Sequence, residues 1–171
     1  MRNARLNLLV VIAAFAASFS FYGCLKPEVF PDEPIIEFKE YQLVNDDSLM
    51  LSFSFTDGDG DIGLGSADIA PPFDTSSKYY NNVFLRYYEK VNGNWVQGVN
   101  AQGDPVEFRY RTEKLTPTGK NKALKGRVII YITPIYYNAF SPDGDTIKYD
   151  IQLVDRALHE SNLVESGEIY P

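Results

Sequence analysis

A chain of 171 residues has room for one ordinary domain and an export segment, not for two cores of typical size. The apolar fraction of 44% and aromatic fraction of 14%, with 12 Tyr and 11 Phe, exclude a disordered chain and suit strands better than helices. The net charge of -7, with no run of Lys or Arg, argues against nucleic acid as a partner and for cations, while a single Cys and a single His exclude an intrachain disulfide and a Cys/His zinc site.

In chain order, Arg2 and Arg5 precede an apolar run over 8–22 that ends in Gly23-Cys24, the tripartite layout of a secretory signal. The run is shorter than the roughly 20 apolar residues a spanning helix needs. It is followed by Leu25-Lys26-Pro27-Glu28 and by Pro31 and Pro34, which read as a linker. Phe21-Tyr22-Gly23-Cys24 resembles the lipobox of bacterial lipoproteins, with Phe21 and Tyr22 where that family usually has Leu and a small residue. The small-x-small triplet Ala14-Phe15-Ala16 offers ordinary signal-peptidase cleavage as the alternative. The resemblance implies a signal peptide over 1–23, an acylated Cys24 that begins a tether over 24–34, and a domain over 35–171. It also implies attachment to the membrane through the lipid, as an outer-membrane lipoprotein of the bacterial cell envelope whose face is left open.

The body shows no sustained helical periodicity. Over 49–55, Leu49, Leu51, Phe53 and Phe55 alternate with Met50, Ser52 and Ser54, which describes a half-buried strand. The run 83–90, then Asn92-Gly93, then Trp95-Val96, predicts a hairpin closed by a tight primed turn. Further strands are expected at 35–43, 106–111, 127–133, 146–154 and 163–169, separated by longer connections over 63–77 and 115–125. About seven to eight strands punctuated by Pro and Gly predict an all-β, immunoglobulin-like Greek-key sandwich.

Directly after the alternating strand, Asp57, Asp59 and Asp61 sit at i, i+2 and i+4 with Gly58, Gly60 and Gly63 between and behind them. Hard cations such as calcium take six to eight oxygens, and glycines let a loop curl until carboxylates and a carbonyl converge. The spacing is similar to the start of an EF-hand loop, with the Gly63 carbonyl next and Asp68 last. Ile62 in place of the sharp-turn Gly, and the absence of flanking helices, reject that fold. The loop more closely resembles those of calcium-bearing immunoglobulin-like and cadherin-like domains of exported proteins. Val154-Asp155-Arg156-Ala157, leading to Ser161-Asn162, is similar to the turn before their last strand. That resemblance implies a calcium site of Asp57, Asp59, Asp61, Gly63 and Asp155 at one pole, with the acidic turn at Asp143 and Asp145 at the other. The alternative is that Asp-Gly repeats make turns, the carboxylates capping backbone N–H groups, and that Asp155 pairs with Arg156 or caps a turn.

His159, Ser161 and Asp155 include triad residue types but lack a nucleophile elbow. Tyr79-Tyr80, Tyr87-Tyr88, Trp95 and Tyr136-Tyr137 could stack on sugars, but adjacent residues on a strand point to opposite faces, so ordinary packing is favoured. The expected function is a non-enzymatic binding or scaffolding module at the cell envelope, with a protein or glycan partner. The alternatives are a carbohydrate-binding accessory domain of a glycan-uptake system and a small hydrolase.

Overall fold

The computed structural model describes residues 28–135 and 146–171. Cys24 with its signal segment, Tyr136-Tyr137, Asp143 and Asp145 lie outside the described residues.

The alternating segment becomes strand β2 (Ser48–Asp57), with Leu49, Leu51 and Phe53 fully buried and Phe55 nearly so. It lies between β1 (Ile35–Asn45) and β6 (Leu124–Ile132), paired antiparallel to each. Facing this sheet is a second one, in which β3 (Val83–Val91) pairs with β7 (Ile147–Leu153) on one edge. Its other edge is shared by β4 (Asn94–Gln97) and β5 (Glu107–Tyr110), and β8 (Val164–Glu165) flanks β7. The chain crosses from sheet to sheet after β2, after β5 and again after β6, which gives the expected Greek-key sandwich.

The core forms where the inward parities meet: Leu49, Leu51 and Phe53 on one side, Val83, Leu85, Tyr149 and Ile151 on the other. The hairpin between β3 and β4 is closed by Asn92 and Gly93 at φ 49° and 76°, the positive angles that the primed turn requires. Its first strand separates Tyr87, which is buried, from Tyr88 on the opposite face. Tyr79 and Tyr80 instead belong to a 3-10 turn over Lys78–Tyr80, so strand alternation does not govern them. Across the open end of the first sheet, Asn162 clips β1: its Oδ1 accepts the Ile36 N–H at 2.8 Å and its Nδ2 donates to the Ile36 carbonyl at 2.9 Å, over a separation of 126 residues.

The last strand is shorter than the expected 163–169. Ser166 takes over the ladder, accepting the Tyr149 N–H on its Oγ and donating its own N–H to the Tyr149 carbonyl, both at 2.9 Å. Gly167 then turns at φ 74°, and pairing resumes only as the isolated bridge of Ile169 with Ile147.

Tyr149 is fully buried among aromatic neighbours, 6.1 Å ring to ring from Phe108, and its hydroxyl has no hydrogen-bond partner among the described residues. Burial, with the neighbouring phenols of Tyr87 and Tyr110 adding to it, pushes its pKa well above the ordinary tyrosine value. Because an unsatisfied buried hydroxyl opposes folding by about 1–3 kcal/mol, Tyr149→Phe is expected to leave stability unchanged or raise it by about 1 kcal/mol in urea unfolding of the full chain. A loss above about 1 kcal/mol would mean that the hydroxyl is bonded.

Candidate metal centre

Inward parity explains the site. Residues 49, 51, 53 and 55 point into the core, and Asp57 is the next residue of that row, so β2 ends by placing a carboxylate in a core position. Asp57 is 0% exposed. Its Oδ2 accepts the N–H groups of Gly60 at 2.9 Å and Asp61 at 3.0 Å, the turn-capping role that an Asp-Gly repeat predicts. Its Oδ1 is buried and has no partner among the described residues, and the same holds for Oδ1 of Asp61. Turn capping therefore explains half of the Asp57 carboxylate and leaves the other half unexplained.

Carboxylate oxygens of Asp57, Asp59 and Asp61 lie within 4.8 Å of one another. Oxygens bound to one calcium at 2.3–2.6 Å are at most about 5 Å apart, so the three side chains form a group that can hold a metal ion. Asp59 is the exposed member and Asp61 is half-buried.

The glycines are there because other segments press on the loop. A Cβ at Gly58 would lie 2.4 Å from the Phe30 carbonyl oxygen, one at Gly60 2.1 Å from that of Lys122, and one at Gly63 1.9 Å from that of Glu113. Gly60 and Gly63 also need φ of 76° and 86°. Ile62, in the place where an EF-hand has its turn glycine, is a core anchor at 1% exposure, and its carbonyl accepts the Leu115 N–H at 3.0 Å. Asp68 is placed elsewhere, accepting the Gly65 N–H at 2.8 Å.

Asp155 reaches the same pole. It is the leading charge that raises the pKa of Asp61, after burial, and Asp59 in turn raises that of Asp155. Both its oxygens serve His159: Oδ1 accepts the backbone N–H and Oδ2 meets Nδ1, each at 2.8 Å. Asp155 thus caps a turn through His159 rather than pairing with Arg156, and it stands beside the three-carboxylate group with its oxygens already engaged. Gly63 lies against Glu113 at the base of the loop. Lys114, Lys122 and Arg156 line the depression next to Asp59 and Asp61, a set of cations that reading the sequence did not connect to the loop.

The other constellations do not assemble into sites among the described residues. Ser161 Oγ accepts the Leu153 N–H at 3.0 Å and donates to the Asn162 carbonyl at 2.8 Å, while His159 is held by Asp155. The outward rings each carry a cation on one face: Lys148 over Tyr88 and Trp95, Arg111 over Tyr80, Lys78 over Tyr79.

Comparison of the chain with protein-family models, with curated proteins and with solved structures found no match.

Burial, reinforced by Asp59 and Asp61 and opposed by the two N–H donors, pushes Asp57 from the ordinary 3.8 to about 6. Asp61 and Asp155 move the same way. Between those two values the unfolded chain has released the Asp57 proton and the folded chain retains it, so the Asp57 contribution makes the stability of the ion-free protein fall as pH rises from about 4 to 6. Urea unfolding in chelator at either end of that window checks this. Stability that rose with pH across it would overturn the assignment.

Proposed function

We propose that the chain is a lipid-anchored binding or scaffolding module of the bacterial cell envelope, in which a calcium ion held by the acidic loop fixes one pole of the sandwich. The observation that carries the metal is the buried Oδ1 of Asp57, unpartnered among the described residues, on a carboxylate that is grouped with those of Asp59 and Asp61. Like charges gathered under burial favour either protonation or a cation, and an all-oxygen set on an irregular glycine loop suits calcium better than softer or more exacting metals. Asp57, Asp59 and Asp61 would bind it directly, with the Gly63 carbonyl and Asp155 as the remaining candidates. An ion there would supply structural charge neutralisation, joining the end of β2 to the segments at Phe30, Glu113 and Lys122 that close around the loop.

Calcium at 100 times its dissociation constant should stabilise the full chain in detergent by about 2.7 kcal/mol, a rise of several degrees in Tm. Asp59→Asn with Asp61→Asn should abolish that rise. If saturating calcium leaves the Tm of the unsubstituted chain unchanged, the loop is a turn and no more.

The anchor is supported by the placement of the single cysteine behind the apolar run. Cys24→Ser is expected to move the protein from the membrane fraction to the soluble fraction of a bacterial host and to remove acylation from its mass. Retention in the membrane would show that something other than the lipid holds it.

A further inference from the structure

The acidic loop borders an open depression of about 330 Å³, which Asp59 and Asp61 line together with Lys114, Lys122 and Arg156. Backbone packing holds those cations beside the loop. A Cβ at Gly63 would stand 2.9 Å from the Lys114 Cα, and the next residue, Leu115, donates its N–H to the Ile62 carbonyl at 3.0 Å. The Lys122 carbonyl oxygen lies 2.1 Å from where a Gly60 Cβ would be. Arg156 follows Asp155 in the turn that His159 closes.

Opposite charges set this close usually pair, and these do not. Among the described residues, none of the three cations forms an ion pair. Lys122 Nζ instead donates to a neutral group, the Pro117 carbonyl, at 3.3 Å. Asp68 feels Lys114 and Arg156 at longer range, but its Oδ2 accepts the Gly65 N–H. The acidic side of the depression is short of partners as well, since the buried Oδ1 atoms of Asp57 and Asp61 have none among the described residues. Calcium takes six to eight oxygens, more than Asp57, Asp59, Asp61, Gly63 and Asp155 supply at one each, and both oxygens of Asp155 already serve His159. Asp59, the exposed member of the group, lines the depression, so that is where a further oxygen can enter.

We propose that the calcium-loaded loop takes a phosphate group in this depression, one oxygen completing the shell of the ion and the others meeting Lys114, Lys122 and Arg156. The inference rests on the calcium reading above and names the ligand class of that same site. A phosphate has oxygens enough for an ion and several cations at once, whereas a carboxylate has two and a neutral hydroxyl leaves the cations unmatched. Without the ion, the carboxylates repel the same group, so the ligand binds only the loaded loop. The volume admits the phosphate with the group that bears it.

The probe is glycerol 1-phosphate, added to the full chain in an uncharged, phosphate-free detergent while calcium is titrated by calorimetry. The titration without ester reads the ion, and the shift in its dissociation constant with ester reads the phosphate. Saturating ester should tighten calcium about tenfold, because a ligand that prefers the loaded loop must raise calcium affinity by the factor by which calcium raises its own. Lys114→Gln with Lys122→Gln should remove that tightening, while calcium alone should bind no more weakly once two nearby positive charges are gone. Short-chain phosphatidylglycerol in mixed micelles identifies the source: tightening by this lipid as well as by the ester assigns the site to a membrane headgroup, and tightening by the ester alone assigns it to a free phosphate ester. Calcium binding that the ester leaves unmoved, tightening that survives the double substitution, or ester binding that is equally strong in chelator would each overturn the proposal and leave the calcium site standing. Absence of calcium binding in both titrations would overturn the two together.

Discussion

The period-two alternation of β2 is the constraint on which the rest of the molecule depends. That strand is paired along both edges, and its inward residues supply much of one half of the core. A slip of one residue would expose Leu49, Leu51, Phe53 and Phe55 together, so the register of β1 and β6 is fixed by burial before any loop contributes. The same rule that buries the four hydrocarbon side chains buries Asp57. The acidic loop is therefore an extension of the core, with its first carboxylate lodged where the next apolar residue would stand.

That placement explains why the loop's chemistry differs from a surface turn of the same composition. An exposed Asp-Gly repeat would keep its carboxylates in water and its glycines for backbone freedom alone. Here Gly58, Gly60 and Gly63 are required because three different backbones approach within the space of a Cβ, and the enclosure they permit deprives Asp57 and Asp61 of solvent. Packing, desolvation and the raised carboxylate pKa values are consequences of one arrangement.

The strands were legible because their signals are local: alternation for β2, Asn92-Gly93 for the β3–β4 hairpin, aromatic and β-branched runs elsewhere. The shared pole of Asp61 and Asp155 followed from Greek-key connectivity. The truncated last strand was not legible, because Ser166 looks like any strand residue until its hydroxyl is seen bonding across to Tyr149. The parity that buries Asp57 could have been read by continuing the alternation one step further. The segments that press on the glycines, and the gathering of Lys114, Lys122 and Arg156 beside Asp59 and Asp61, arise from tertiary contact and leave no mark in the spacing of residues.

The clip between Asn162 and Ile36 bears on when the domain can come together. β1 and its hairpin partner are made early, but the side chain that engages the Ile36 backbone arrives 126 residues later. The second sheet has the same dependence, since β3 has its β7 neighbour only once residues 147–153 exist. Contacts of such sequence separation slow folding and leave a nascent chain without a stable partial structure. A polypeptide emerging vectorially would thus stay threadable until almost its whole length is available.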